Sequence, residues 1–116
     1  MSFHLSAQTE TWKVPASFKS LKNPVVKSEA SNKTGLAIFT KNCVSCHGKT
    51  GQGNGVKVST LKNSSGNFTL SEFQNLTDGD IFYRIKNGKE EMPKFEGKLS
   101  EDEIWNTINY LRTLKR

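Results

Sequence analysis

Residues that build many functional sites are scarce in this chain of 116 residues, which has two cysteines, two histidines and two methionines. Apolar sequence is also limited, since hydrophobic residues make up 34% of the chain and the mean hydropathy is −0.61. No apolar run is long enough to span a bilayer. No segment alternates apolar and polar residues with period two, as half-buried strands do. The sequence therefore predicts one small all-α domain without a membrane span.

Both cysteines belong to one short motif, Cys43-Val44-Ser45-Cys46-His47. Cys-x-x-Cys followed by His is the spacing at which a c-type haem is attached covalently. Two thiols about one helical turn apart match the separation of the two haem vinyl groups, and the adjoining imidazole then lies below the iron. We therefore expect one haem c, attached through Cys43 and Cys46, with His47 as an axial ligand of the iron.

Two other sites use a Cys-x-x-Cys pair. A structural zinc site needs four ligands, and beyond the motif the chain offers only one other histidine, His4. A thioredoxin-like dithiol is associated with a βαβ pattern, whereas the sequence before Cys43 has the pattern of a helix. Haem attachment fits the available ligands better than either alternative.

The expected cofactor also bears on localisation. Residues 1–8 lack the basic and long apolar regions of an intact signal peptide. Haem attachment of this kind nevertheless takes place outside the cytoplasm. We expect a periplasmic or otherwise extracytoplasmic protein, with a targeting segment or anchor absent from this sequence.

Positive charge is concentrated in the first half of the chain. The net charge is +6, and residues 1–62 carry nine Lys and two Glu, whereas residues 63–116 are close to neutral. There is no basic run with interleaved aromatic residues and no nucleic-acid recognition motif, so we do not expect nucleic-acid binding. The basic surface is expected either to attract a redox partner protein with an acidic docking surface or only to keep a monomer soluble.

Capping signals and helical spacing predict three main helices. Ser31 is the expected N-cap of a helix over residues 32–42, in which Gly35 and Phe39 share a face with Cys43. A second helix begins at Thr77 and ends near residues 87–88. The third begins at Ser100, which forms a capping box with Glu103, and its helical spacing continues to the C-terminus.

The chain before the first main helix differs in composition. We expect residues 1–30 to be an irregular arm and residues 31–116 to be the folded domain, because Pro15 and Pro24 interrupt any helix in the arm. Trp12 and Phe18 favour docking of the arm on the domain over a disordered tail.

One methionine is a good candidate for the sixth iron ligand. Met92 precedes Pro93, and a residue before proline is disfavoured in the α conformation, so Met92 is expected in a loop over residues 88–97. A single methionine in a polar loop is not the pattern of a core residue. His4 would compete only if the arm folded over the haem.

Three separated motifs then give a resemblance. They are Gly35-x-x-x-Phe39-x-x-x-Cys43-x-x-Cys46-His47-Gly48, Met92-Pro93-x-Phe95-x-Gly97-x-Leu99-Ser100 and Trp105-x-x-Ile108-x-Tyr110-Leu111-Arg112. Over about residues 32–114 the chain resembles the class I monohaem cytochromes c of bacteria. The resemblance implies a cytochrome c fold around one haem, with the first and last helices crossing near Gly35, and His47 and Met92 as axial ligands. Many relatives have proline where this chain has Val56, so the partner of the His47 Nδ1 proton stays open.

Electron transfer rather than enzymatic turnover is the expected function. Two protein ligands close the iron to small molecules, and a thioether ligand raises the reduction potential. An alternative is a cytochrome domain or subunit of a larger redox enzyme complex. A third is a gas sensor in which Met92 is a labile ligand.

Overall fold

The computed structural model describes residues 12–61 and 65–116. Its helices are α1 (Ala16–Lys19), α2 (Glu29–Asn42), α3 (Val44–His47), a 3-10 helix (Val58–Thr60), α4 (Ser71–Gln74), α5 (Asp78–Asn87) and α6 (Glu101–Arg112). Apart from two isolated β-bridges, these residues form no strand. The predicted all-α fold with three main helices, α2, α5 and α6, is confirmed. No helix in these two ranges is long and apolar enough to cross a membrane.

Helix α2 begins earlier than the sequence predicted. Its N-cap is Ser28, whose side-chain oxygen accepts a hydrogen bond from the Ser31 backbone N–H at 3.0 Å. Ser31 lies inside the helix and is buried, and its hydroxyl group donates to Asn106 of α6 at 2.6 Å. The predicted cap at Ser31 was therefore wrong, because a tertiary contact uses the hydroxyl that would have capped the helix.

The other two main helices begin where the capping signals placed them. The Thr77 side chain accepts from the Asp80 backbone N–H, and Ser100 and Glu103 form both hydrogen bonds of a capping box. Helix α5 ends at Asn87 and is followed by Gly88 with φ of 62°. Helix α6 ends at Arg112, a few residues before the C-terminus.

The core forms where α2 crosses α6, and α5 packs beside them. Gly35 lies at the crossing, where an added Cβ would be 2.7 Å from Tyr110 Cβ and would overlap the Asn106 carbonyl oxygen. The core side chains are Phe39, Ile81, Phe82, Ile85, Phe95, Ile104, Trp105, Ile108 and Leu111. The predicted crossing at Gly35 and Phe39 is confirmed. This packing fixes the end of α2, from which the Cys-x-x-Cys-His motif continues.

The described part of the arm packs on the domain. Residues 16–19 form α1, so the arm is not irregular throughout. The Phe18 ring meets Tyr83 of α5 edge to face, with ring centroids 4.8 Å apart. The predicted docking through Phe18 is thus confirmed, while the division into an arm and a domain at residue 31 stays a prediction. Residues 1–11, including His4, lie outside the described residues.

Candidate functional site

The Cys-x-x-Cys-His motif occupies one helical turn. Cys43 follows the last residue of α2, and its carbonyl oxygen accepts hydrogen bonds from the backbone N–H groups of Cys46 at 3.3 Å and His47 at 2.9 Å. Both cysteines are free thiols and partly exposed. The turn therefore holds the two thiols and the imidazole at fixed positions relative to one another.

These side chains line a cavity of about 370 Å³. Cys43, Cys46 and His47 lie on its wall together with Met92, which comes from a distant part of the sequence. Much of the remaining wall is apolar and comes from four regions of the chain: Phe68, Leu70, Phe73 and Leu76; Ile81 and Ile85 of α5; Phe95 of the Met92 loop; and Leu111 of α6. The volume falls in the range of about 300–1,000 Å³ that is usual for cofactor sites.

Backbone hydrogen bonds hold the Met92 loop. Lys89 and Met92 exchange two N–H to carbonyl hydrogen bonds, each of 2.9 Å. Phe95 N–H donates to the Ile85 carbonyl oxygen at 3.2 Å, which ties the loop to α5. At Gly88 a Cβ would lie 2.5 Å from the Met92 carbonyl oxygen, so the turn leaves no room for a side chain. Met92 is consequently presented at the cavity by a fixed loop, as its position before Pro93 predicted.

Removal from water shifts two pKa values at this site. Burial lowers the pKa of His47 to about 4, and this effect outweighs the smaller, opposite effect of the Ser65 backbone. Burial, together with the neighbouring Cys46, raises the pKa of Cys43 to about 12. At neutral pH the imidazole of His47 is therefore uncharged and has a nitrogen lone pair for a metal ion.

The loop after His47 turns tightly beside the motif. Gly48, Gly51 and Gly53 all have φ between 73° and 83°, a backbone conformation that residues with a side chain rarely adopt. Val56, which stands where many relatives have proline, is 90% exposed. The buried Nδ1 atom of His47 has no hydrogen-bond partner within residues 12–61 and 65–116, so the question raised by Val56 stays open.

Several cavity residues were not predicted from the sequence, and two of them contact each other. Trp12 of the arm lines the cavity, and so does Arg84 of α5. Arg84 follows Ile81 by one helical turn, a spacing that could have placed it on the cavity face. Nothing in the sequence around Trp12 signalled its position, because it depends on where the arm docks.

The residues fit a covalently attached haem. Two thiols one turn apart could form the covalent links to a c-type haem, and an uncharged imidazole and a thioether could bind its iron. Here all four groups share one largely apolar cavity. Among the residues that the structure describes, no group of three His, Cys, Asp or Glu residues could hold a metal ion by itself. An iron held in a haem does not need such a group.

Comparison with known families decides the classification. The family model described as cytochrome c oxidase, cbb3-type, subunit III matches residues 30–111, which is most of the chain. The chain belongs to the cytochrome c family. This cytochrome carries a covalently attached c-type haem with iron, a cofactor that is bound through two cysteines, and it transfers electrons. Cys43 and Cys46 are its two cysteines.

Two relatives are cytochromes c6. The cytochrome is 32% identical to cytochrome c6 of Thermostichus vulcanus over 97 residues, which cover 83% of this chain and 80% of the relative. It is 38% identical to cytochrome c6 of Synechococcus sp. over 78 residues, which cover 66% of this chain. The matched part spans 64% of the Synechococcus protein's length.

Solved structures agree on the fold. The KustC0563 c-type cytochrome matches with a TM-score of 0.62 and 26% identity, over 71% of this chain and 98% of that one. A chain of the Kuenenia stuttgartiensis reducing HAO-like protein complex matches with a TM-score of 0.73 and 24% identity, over 94% of this chain and 55% of that one. The fold is that of the cytochromes c.

Proposed function

We propose that this cytochrome is a carrier of single electrons and not an enzyme, with thioether bonds at Cys43 and Cys46 and with His47 and Met92 as axial ligands. The observation that carries the proposal is that these four side chains, from two distant segments, line the same cavity. When bound, the haem supplies a one-electron Fe(III)/Fe(II) couple. The protein residues set the conditions under which that couple works.

Each part of the site has a role in this proposal. An iron bound by both His47 and Met92 would have no coordination position left for a substrate, which would favour electron transfer over catalysis. The thioether of Met92 is a poorer donor than imidazole and raises the reduction potential. The apolar wall excludes water, which disfavours the more highly charged oxidised state. The hydrogen-bonded loop over residues 88–97 keeps Met92 in place.

Replacing Met92 tests the axial ligation. Met92→Ala is expected to leave the haem attached, with a protein mass one haem above that of the polypeptide. The near-infrared absorption band of methionine-ligated ferric haem should disappear and the reduction potential should fall, because the thioether is lost. Spectroscopy from the visible to the near infrared, mass spectrometry and a redox titration measure these effects.

The neighbouring exposed residue provides a control. Lys94→Ala changes the same loop without removing the thioether, and the near-infrared band should persist. A wild-type protein that lacks this band, or that releases free haem into acidified organic solvent, would contradict the proposal. Carbon monoxide that binds readily to the reduced wild-type protein would instead favour a gas sensor with a labile Met92.

We further propose an extracytoplasmic location and, as partners, proteins with an acidic docking surface. Covalent haem attachment takes place outside the cytoplasm, which supports the location. Lys41, Lys49, Lys57 and Lys94 flank the haem motif and the Met92 loop in the sequence, and all four are exposed. Such a basic surface favours encounters with an acidic partner.

The second candidate is a subunit or domain of a larger redox enzyme complex. It is favoured by the matching family model, whose description names a subunit of an oxidase. Purification from the native source distinguishes the two. A monomer that elutes alone supports the free electron carrier. Stable co-purification with a catalytic subunit supports the subunit or domain of a larger complex.

A further inference from the structure

The segment of residues 12–28, called the docked segment below, is held on the domain by specific polar contacts. Asn23 Nδ2 donates to the Trp105 carbonyl oxygen at 3.2 Å and to Asn109 Oδ1 at 3.0 Å. Asn109 Nδ2 in turn donates to the Val25 carbonyl oxygen at 3.1 Å. Asn109 is 1% exposed, so these bonds form in the interior of the protein. The docked segment is therefore part of the fold.

The docked segment also lies directly on α5. Gly79 is buried beneath it, and a Cβ at this position would overlap the Phe18 carbonyl oxygen and lie 3.0 Å from that of Leu21. The backbone of the segment thus touches the first turn of α5 at a point where only glycine fits. The edge-to-face contact of Phe18 with Tyr83 continues along the same helix. These contacts fix the path of the chain that leads back to Trp12.

At the start of this path Trp12 reaches the cavity. Its indole lines the cavity that Cys43, His47 and Met92 share. The guanidinium carbon of Arg84 lies 5.2 Å from the centroid of the Trp12 ring, within the range of a cation–π contact. Arg84 is itself held by Asp80, whose side chain is 7% exposed, at a distance of 2.5 Å. The indole is consequently in contact with a side chain that is itself anchored on α5.

We propose that Trp12 is part of the haem site, where the docked segment holds its indole in the cavity wall and the indole would shield a bound haem from water. The inference rests on the proposed haem ligation and adds a wall residue that lies outside the 30–111 region matched by the family model. An indole covers a large apolar area, so its removal would admit water to the haem. Water stabilises the more highly charged oxidised state. Trp12 should therefore raise the reduction potential.

Substitution of Trp12 in the haem-loaded protein tests this role. Trp12→Ala should lower the reduction potential. Trp12→Phe should keep the potential close to the wild-type value, because the phenyl ring still covers the site. Ser17→Ala, on an exposed position of the same segment, is the control and should leave the potential unchanged. Redox titration measures all three variants, and the near-infrared band verifies that Met92 still binds the iron.

A second variant displaces the whole segment without changing Trp12. The added methyl group of Gly79→Ala overlaps the Phe18 carbonyl oxygen, so the segment must move away from α5. The potential should fall in the same direction as for Trp12→Ala. Because both changes remove the same contact, their effects in the double variant should be far from additive.

The outcomes separate this inference from the proposed function. If the wild-type spectrum lacks methionine ligation, the proposed ligation fails. If the wild-type protein has His/Met ligation but Trp12→Ala and Gly79→Ala both keep its potential, the inference about Trp12 is overturned. A potential lowered equally by Trp12→Ala and by Trp12→Phe would also overturn it, since shielding would then not be the cause.

Discussion

At the residue scale, hydrogen bonds between polar side chains join the first part of the chain to the last helix, and two of these side chains, Ser31 and Asn109, are buried. Ser31, Asn106 and Asn109 form hydrogen bonds between α2 and α6, and Asn23 extends this group to the docked segment. Buried polar groups of this kind are costly when they lose a partner. Their contribution is therefore to specify one arrangement of these segments.

Removing Asn109 should lower stability measurably. Asn109→Ala leaves Asn23, the Val25 carbonyl group and Ser31 with fewer hydrogen-bond partners. We expect the free energy of unfolding to fall by about 1–3 kcal/mol, the cost of leaving buried polar groups unsatisfied. Urea denaturation of the haem-loaded protein measures it. Asn75→Ala, at an exposed position, serves as the control, and equal effects of the two substitutions would refute the argument.

At the element scale, the crossing of α2 and α6 positions the haem motif. Helix α2 ends at Asn42 and the motif begins at the next residue, so the site inherits the position of this helix. The crossing is close because Gly35 has no side chain. A helix with glycine in its interior is intrinsically weaker than one with alanine by about 1 kcal/mol. Here the close packing compensates for that weakness.

Whether Gly35→Ala raises or lowers the free energy of unfolding tests how closely α2 and α6 cross. Gly35→Ala would raise stability by about 1 kcal/mol if helix propensity alone mattered. Because the added methyl group of Gly35→Ala overlaps the Asn106 carbonyl oxygen, the substitution should instead lower the free energy of unfolding by about 1–3 kcal/mol, the usual cost of overpacking a core. Thr40→Ala, on the exposed face of α2, should not destabilise the protein. Denaturation curves that place Gly35→Ala at or above the wild type would exclude a tight crossing.

At the scale of the whole molecule, charge is distributed unevenly along the chain. The net charge of +6 arises mainly from the first half, which includes Lys49 and Lys57 after the haem motif. Both lysines are exposed. Attraction between exposed charges is screened beyond about 10 Å at roughly 0.1 M ionic strength. If this surface attracts a redox partner, the rate of association must therefore depend on the salt concentration.

The rate of reaction with a small anionic oxidant tests whether this basic surface attracts negatively charged reactants, and the test does not require the identity of the partner. The rate at which ferricyanide oxidises the reduced protein should fall as salt rises, and the double change Lys49→Glu and Lys57→Glu should slow it further at low salt. The matched control reverses Lys27, which precedes α2, and Lys33, which lies about 15 Å along that helix from Cys43. Equal rates for both double variants would leave the basic surface with a role in solubility alone.

Features set by local spacing could be predicted from the sequence. The Cys-x-x-Cys-His motif fixed the order of its side chains on one turn, and the capping box at Ser100 and Glu103 fixed the start of α6. These features depend on hydrogen bonds between residues three or four positions apart, which any chain with the same local sequence can form. Pro93 likewise placed Met92 in a loop.

Only the tertiary structure decided the features that depend on distant parts of the chain. Ser28 rather than Ser31 caps α2, because the Ser31 hydroxyl bonds α6. Trp12 joined the cavity wall because the docked segment packs on α5, where Gly79 is buried beneath the segment. Such contacts form between surfaces that are assembled only when the helices pack. Their energies depend on shape and burial, which no local pattern of residues encodes.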